Sequence, residues 1–216
     1  MLVVCCGFSK TPISFVYQMV FQMLEAAGHE QFELRNDILT KIPGVSNSAH
    51  LSLTVETLAA LAETLPPDCH AVVKTNDSLL PFVQQPKIAD WLKVIALDRK
   101  PAHAAQSLVT QAVYQRDAGR AAAMNKNAVV TYERARKLIE ADRTALLQDL
   151  RDPRMLALSY EDIVSDVRAV MARIASFIAI EMDSDLADRF ECFMEAVIAR
   201  EGSKSRELRA ILSQAA

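Results

Sequence analysis

Four short segments carry side chains able to do chemistry. The first is Gly7-Phe-Ser-Lys-Thr-Pro-Ile-Ser14, a polar loop between an apolar run and a long apolar helical pattern. A strand, a loop and a helix in that order make an anion-binding device. The first N–H groups of a helix are unpaired, and its N-terminus carries a partial positive charge. Lys10 adds a full charge, and Ser9, Thr11 and Ser14 add hydroxyl donors. A phosphate or sulfate suits that set. The second segment ends the run Trp91 to Asp98 with Arg99, and Pro101 then starts a helix. An arginine at a strand end can fork onto a phosphate, and Ser107, two turns into the helix, can face the same ligand. The third is Tyr160-Glu-Asp162, whose acids suit the first turn of a helix. The fourth is Lys74-Thr-Asn-Asp77, at the end of another apolar run.

The loop at Gly7 nearly meets the nucleotide-hydrolase pattern G-x-x-x-x-G-K-[ST]. It departs where the chemistry is: Pro12 holds the place of the second glycine and Ile13 that of the lysine. Lys10 stands three residues too early, which disfavours ATP or GTP hydrolysis.

The elements that must hold these segments alternate along the chain. Leu2-Val-Val-Cys-Cys6 is apolar throughout, as a strand buried on both faces is. Ile13 to Ala27 reads as a helix ended by Gly28, with Phe15, Val16, Met19, Val20, Met23 and Leu24 in a wide stripe. Gln31 to Arg35 is a weak short strand, Ile42 to Asn47 a loop, and Ala49 to Thr64 an amphipathic helix closed by Pro66-Pro67. His70 to Thr75, Trp91 to Asp98 and Met155 to Tyr160 are three further strands. A helical stretch runs from Pro101 to about Leu150 with a break near Ala118-Gly119. Helices over Glu161 to Ile178 and Ser184 to Arg200 follow, the second packing on the core or on a second copy in a homodimer. This order predicts a three-layer α/β/α domain over residues 1–216, P-loop-like, with a mainly parallel central sheet and a helix-rich C-terminal half. The tail from about residue 202 is polar and reads as loose. In such sheets ligands bind where strands end, at a topological switch point, and all four segments lie there.

Composition narrows the function classes. The 216 residues carry a net charge of -3, and aromatics are only 6%. A general electrostatic grip on nucleic acid and a stacking platform for single strands are both disfavoured. No apolar run reaches the length of a membrane span. The run at Leu2 lacks a basic leader and is too short for a signal peptide, so the chain reads as cytoplasmic. Cys5, Cys6, Cys69 and Cys192 have neither disulfide-framework nor zinc-site spacing and read as small apolar side chains.

The loop, as Phe8-Ser-Lys-Thr-Pro-Ile-Ser-Phe15, resembles the 5′-phosphosulfate loop of the sulfotransferases that use 3′-phosphoadenosine 5′-phosphosulfate (PAPS). That loop reads aromatic-Pro-Lys-Ser-Gly-Thr-Thr-Trp in many members. Lys10 matches its lysine, Thr11 the next hydroxyl and Ser14 the last; Pro12 replaces the glycine and Ile13 a threonine. Arg99 and Ser107, with Pro101 between, stand at the family's spacing for the segment that holds the 3′-phosphate. Tyr160-Glu-Asp-Ile163, with Phe177-Ile-Ala179 closing the following helix, resembles the family's Tyr-Glu-Asp-Leu strand end and its Phe-Leu-Gly closure. Lys74-Thr-Asn76 resembles a strand ending in Lys-Thr-His, whose histidine is the family's base. An amide does not titrate, so Asn76 cannot take that role.

The resemblance implies transfer of a sulfuryl group from PAPS to a hydroxyl or amine of a small-molecule or peptide acceptor, with no step routed through a metal. It implies that Ser9, Lys10, Thr11, Pro12, Ile13 and Ser14 cradle the 5′-phosphosulfate and that Arg99 and Ser107 hold the 3′-phosphate. Tyr160 would lie near the adenosine, and Lys10 would stabilise charge on the leaving phosphate. Asp77, one residue past the family's base, is the first candidate to take the acceptor's proton, ahead of His50. His103, at the start of the helix after Arg99, and His29, after Gly28, read as capping or surface groups. Arg200-Glu-Gly202 only faintly matches a further family segment. Two other readings fit the same residues: a PAPS- or PAP-binding relative without chemistry, and a P-loop small-molecule kinase.

Overall fold

Leu2-Val-Val-Cys-Cys-Gly7 has no polar side chain to show to water, so both of its faces must be covered. In the computed structural model it is strand β1, Leu2–Gly7, and every residue of it is buried. The structure describes residues 1–7, 13–29, 63, 66, 69–75, 91–107, 132–147, 152–196 and 199. Among them follow α1 (Ile13–Ala26), β2 (Ala71–Thr75) and β3 (Leu92–Asp98). Residues 101–107 are helical and are labelled α2. Then come α3 (Tyr132–Leu147), β4 (Met155–Ser159), α4 (Tyr160–Ser165) and α5 (Val167–Ile178). Helix α6 covers residues 184–196.

The four strands form one parallel sheet in the order β2-β1-β3-β4. From β1 the chain goes to one side for β2 and then crosses to the other for β3. The switch point therefore lies at the carboxyl ends of β1 and β3, where α/β sheets bind ligands. In register, Val3, Cys5, Val72, Ile95, Leu97 and Leu158 face one apolar core with the buried stripes of α1, α5 and α6. The alternate residues Leu2, Val4, Cys6, Val73, Val94 and Ala96 are buried as well. Helix α3 reaches that second face at Asp98, through Arg143. Helices thus lie on both faces, as the alternating pattern predicts.

Cys5 and Cys6 point to opposite faces and are both buried. Burial pushes the Cys5 thiol far up and the Cys6 thiol to about 12, so neither is a thiolate at neutral pH. Helix α6 packs on the core: Leu186, Ala187, Phe190 and Met194 are buried in it. One expected helix is two. The stretch from Glu161 to Ile178 breaks at Asp166, whose backbone is extended (φ -157°, ψ 83°) and whose carboxylate accepts the Ala169 N–H at 2.8 Å. An aspartate caps a new helix better than it continues an old one. Tyr160 opens α4 and does not end β4. The expected strand at Gln31 to Arg35, the loop at Ile42 to Asn47 and the break near Ala118-Gly119 lie outside the described residues, as does the Ala49 to Thr64 helix apart from Glu63.

Two helices end in the same hydrogen-bond pattern with different residues. After α1, the His29 N–H reaches Leu24 O and the Gly28 N–H reaches Glu25 O, both at 3.0 Å, with Gly28 at φ 74°. After α5, the Ile180 N–H reaches Ala175 O at 3.0 Å and the Ala179 N–H reaches Ser176 O at 3.4 Å, with Ala179 at φ 58°. Both are Schellman ends, which favour glycine at the left-handed position. Ala179 carries the Cβ penalty that Gly28 avoids. Ala179→Gly is expected to raise stability by about 1 kcal/mol. Gly28→Ala is expected to lower it by about the same amount. That cost would be backbone strain alone, because a Cβ at Gly28 meets nothing within 4 Å. Urea unfolding of the two variants checks the signs, and a destabilised Ala179→Gly would contradict this account.

His29, expected at the surface, lies against His70 in a tilted contact with ring centroids 4.4 Å apart. His70 Nδ1 is buried without a hydrogen-bond partner among the described residues. Burial, then the terminal ammonium of Met1 and His29, hold the His70 pKa below the ordinary histidine value. The unfolded chain therefore binds the extra proton first, and stability rises with pH through that window. Unfolding midpoints are expected to fall as pH drops below about 6.5, the unperturbed histidine value. They should fall less in His70→Gln. Equal pH slopes in the two proteins would remove His70 from the account.

Candidate functional site

Strand parity decides which side chains meet. Residues paired in a parallel sheet point to the same face, and Cys5 pairs with both Lys74 and Ile95. Lys74 therefore leaves β2 on the α1 face, among otherwise apolar neighbours. Its Nζ donates to Ser14 Oγ at 3.1 Å and lies 5.5 Å from the centre of the Tyr17 ring. Ser14 is the second residue of α1 and is exposed. A lysine and a hydroxyl thus converge at the N-terminus of the helix that follows β1, where its dipole also favours an anion.

Leu97 pairs with Leu158 on the α1 face, and just past the ends of β3 and β4 come Arg99 and Tyr160, the second already in α4. The Arg99 guanidinium lies over the Tyr160 ring, 4.4 Å from its centre, a cation–π contact that fixes both groups. Asp98, one residue earlier, points the other way. Its Oδ1 accepts the Arg99 N–H and Arg143 Nε, and its Oδ2 accepts the second Arg143 nitrogen, all at 2.8 Å. This two-bond pair raises the Arg143 pKa, chiefly through the hydrogen bond to Asp98.

The turn after β3 and the turn after β4 are tied together. Glu161 Oε1 accepts the Lys100 N–H at 3.3 Å and lies 2.9 Å from His103 Nδ1. His103 is thus bound to Glu161 and does not face solvent alone. The cap of α4 is the Ser159 hydroxyl, which accepts the Asp162 N–H at 2.9 Å, with Glu161 and Asp162 in the first turn.

A cavity of roughly 580 Å³ opens between α1, the start of α4 and α6. Ser14 and Tyr160 line it together with Phe15, Phe190, Phe193 and Met194. Phe15 stacks nearly parallel on Phe193 (5.7 Å, 6° between planes) and meets Phe190 edge-on at 5.8 Å. Phe193 remains 53% exposed, so the stack forms an open apolar wall. The cavity has the volume of a small-molecule site and a mainly apolar lining, with Ser14, Gln18, Gln22, Tyr160 and Arg189 as its polar groups.

Four expected site residues are placed in this way. Ser14, Arg99 and Tyr160 lie on the α1 face of the sheet at its carboxyl edge, and Ser107 is half-buried in α2. Ile13 is buried in the core, so only its backbone is available to a ligand. Ser9, Lys10, Thr11, Pro12, Asp77, Asn76, His50 and Arg200 to Gly202 lie outside the described residues. Among the described residues, no three His, Cys, Asp or Glu side chains gather as a metal site would need. No helix there is long and apolar enough to cross a membrane.

Lys74 stands in the fourth sequence segment but is given no ligand role there, and nothing in the sequence points to the Phe15–Phe193 wall. A signal for Lys74 was present: a lysine on the inward parity of an apolar strand. The Asp98–Arg143 pair spans 45 residues and leaves no local signal.

Fold and site together define an α/β protein whose polar groups collect at the switch point of a parallel sheet, beside an apolar cavity. Compared by sequence, the chain matches no protein-family profile and no curated protein. Compared by structure, it is similar to retinol dehydratase in complex with androsterone and the inactive cofactor PAP (3′-phosphoadenosine 5′-phosphate), with TM-score 0.54 and 19% identity. That likeness covers 89% of this chain and 64% of the other. Retinol dehydratase in complex with retinol and PAP gives 0.53 and 18%, over 87% and 62% of the two chains. A mouse sulfotransferase complexed with PAP gives 0.54 and 12%, over 89% and 63%. The chain thus spans less than two thirds of these structures, and it shares with them the sulfotransferase α/β fold.

The wall is testable by itself. Phe193→Ala is expected to cost about 1 kcal/mol, the worth of an aromatic pair, and Phe193→Leu less. Urea unfolding reads both, and an unchanged midpoint in Phe193→Ala would mean that the stack holds nothing together.

Proposed function

We propose that this chain binds PAPS and transfers its sulfuryl group to a hydroxyl or amine. The observation that carries the reading is the arrangement on one sheet face. Ser14 and Tyr160 both line one cavity, and behind them stand Lys74, bonded to Ser14, and Arg99, over the Tyr160 ring. PAPS presents two anionic groups on a nucleoside, and this arrangement offers two cationic groups and an apolar, aromatic-walled space. Lys74 and Ser14, with Lys10 and the other hydroxyls of the loop, suit the 5′-phosphosulfate. Arg99, aided by Ser107, suits the 3′-phosphate through its planar fork. Tyr160 and Phe15 suit the nucleoside. The PAP named in the complexes of the structural neighbours supports the same ligand.

In the proposed reaction, the acceptor oxygen or nitrogen forms a bond to sulfur while the bond from sulfur to the 5′-phosphate oxygen breaks. The acceptor's proton goes to Asp77, and PAP leaves. Positioning and charge stabilisation supply the rate, by analogy with phosphoryl transfer. Lys10 and Lys74 would stabilise the charge growing on the phosphate oxygen. The acceptor is a small molecule or a peptide.

Calorimetric titration with PAP, alongside ATP, tests the binding half. PAP is expected to bind in the micromolar range with ATP poor. Lys10→Ala and Arg99→Ala should each weaken PAP about tenfold or more, the worth of a charge-assisted hydrogen bond. No binding of PAP, or equal binding of ATP, overturns the reading, and the second outcome favours a kinase. Transfer of labelled sulfate from PAPS to a panel of phenols, alcohols and amines tests the chemical half. Because Asn76 stands where the family's base does, tight PAP binding without turnover would leave a nucleotide-binding protein that has lost the reaction.

A further inference from the structure

Arg99 and Asp98 are neighbours, and a carboxylate beside an anion site is a hazard. Left unpaired, it repels the phosphate and competes for the arginine meant to hold it. In this chain the Asp98 oxygens are committed elsewhere. Oδ1 takes the Arg99 backbone N–H and Arg143 Nε, and Oδ2 takes the other Arg143 nitrogen, each at 2.8 Å. Arg143 comes from α3, on the face of the sheet opposite Lys74 and Tyr160. The two side chains diverge because they follow each other at a strand end.

We infer that Arg143 is a positioning residue. By holding the Asp98 carboxylate on the α3 face, it keeps that charge out of the anion site and aims Arg99 at a phosphate over Tyr160. This rests on the reading of Arg99 as the 3′-phosphate arm. A guanidinium is needed because its fork engages both oxygens at once, which one ammonium nitrogen does less well. Asp98 is only 19% exposed and Arg143 39%, so the pair is partly shielded from solvent. Helix α3 thereby becomes part of the site without touching the ligand.

The test separates the 3′-phosphate from the rest of the nucleotide. PAP and adenosine 5′-monophosphate, which lacks the 3′-phosphate, are titrated into wild type, Arg143→Met, Asp98→Asn/Arg143→Met and Arg99→Ala. Arg143→Met is expected to weaken PAP about tenfold, again the worth of a charge-assisted contact. The monophosphate should be unaffected. The double variant should recover PAP to within about threefold of wild type, because an amide at Asp98 carries no charge to misplace. Equal losses for both nucleotides, or a double variant as weak as the single one, would assign Arg143 a merely structural part and overturn the inference. So would an unchanged PAP affinity in Arg143→Met while Arg99→Ala loses it. If Arg143→Met does not fold, Arg143→Lys carries the test, with about a threefold loss expected for PAP alone; no loss, or an equal loss for both nucleotides, overturns the inference. Wild type that binds no PAP fails the nucleotide reading first and this one with it. Wild type that binds PAP with Arg143 variants unchanged fails this one only.

Discussion

The site depends on the register of β1 with its two neighbours. Cys5 faces both Lys74 and Ile95, and that one alignment sets the parity of three strands at once. β4 joins through Ile95 and Leu97. A slip of one residue in any strand would exchange its core face for its other face. Lys74 would leave Ser14, or Arg99 would leave Tyr160. The apolar residues beneath prevent the slip: Val3, Cys5, Val72, Ile95, Leu97 and Leu158 all belong to one buried cluster with α1, α5 and α6. Packing beneath the carboxyl edge of the sheet thus fixes the geometry of that edge.

The polar network at the carboxyl ends has a different character from the core. Its members are mostly half-exposed and paired across turns. Asp98 with Arg143, Glu161 with His103 and Lys100, and Arg99 over Tyr160 tie the β3 and β4 turns and α3 together. Pairs this exposed add little to stability on their own. The cation–π contact limits the rotamers of Arg99 and Tyr160, which the proposed phosphate site needs more than it needs extra folding energy.

Much of this was legible in the sequence, for identifiable reasons. All four described strands are mainly apolar runs bounded by polar turns, with Lys74 and Lys93 as charged exceptions in their interiors, which is the clearest signal a parallel sheet gives. α1 announced itself by its stripe and by Gly28. Arg99, Ser14 and Tyr160 stood just after strands, where the fold places ligands. Other features could not be read. The break at Asp166 lies in a run apolar enough to pass for one helix. The stack of Phe15 on Phe193 joins helices far apart in sequence, as does Asp98 with Arg143. Such pairings arise only when the sheet order brings their elements together. The loop residues Ser9 to Pro12 and the candidate base Asp77 belong to the sequence argument alone, since they lie outside the described residues.

The departures of this chain from the sulfotransferase pattern bear on different halves of the proposed function. Asn76 for histidine concerns proton removal. Pro12 and Ile13 concern how many donors the loop gives a 5′-phosphate. Neither touches Arg99, Tyr160 or Lys74, which sit on strand ends held by the core. Binding and chemistry can therefore separate in this scaffold. In the proposed reading the nucleotide arms stand at strand ends held by the core, while the candidate base Asp77 follows β2. A change in that segment would bear on the proposed reaction and leave the proposed nucleotide contacts in place. A phenol of low pKa needs less help to lose its proton than an alcohol does. In the proposed reaction, an acidic acceptor is therefore the class most compatible with Asn76 in the place of the family's histidine.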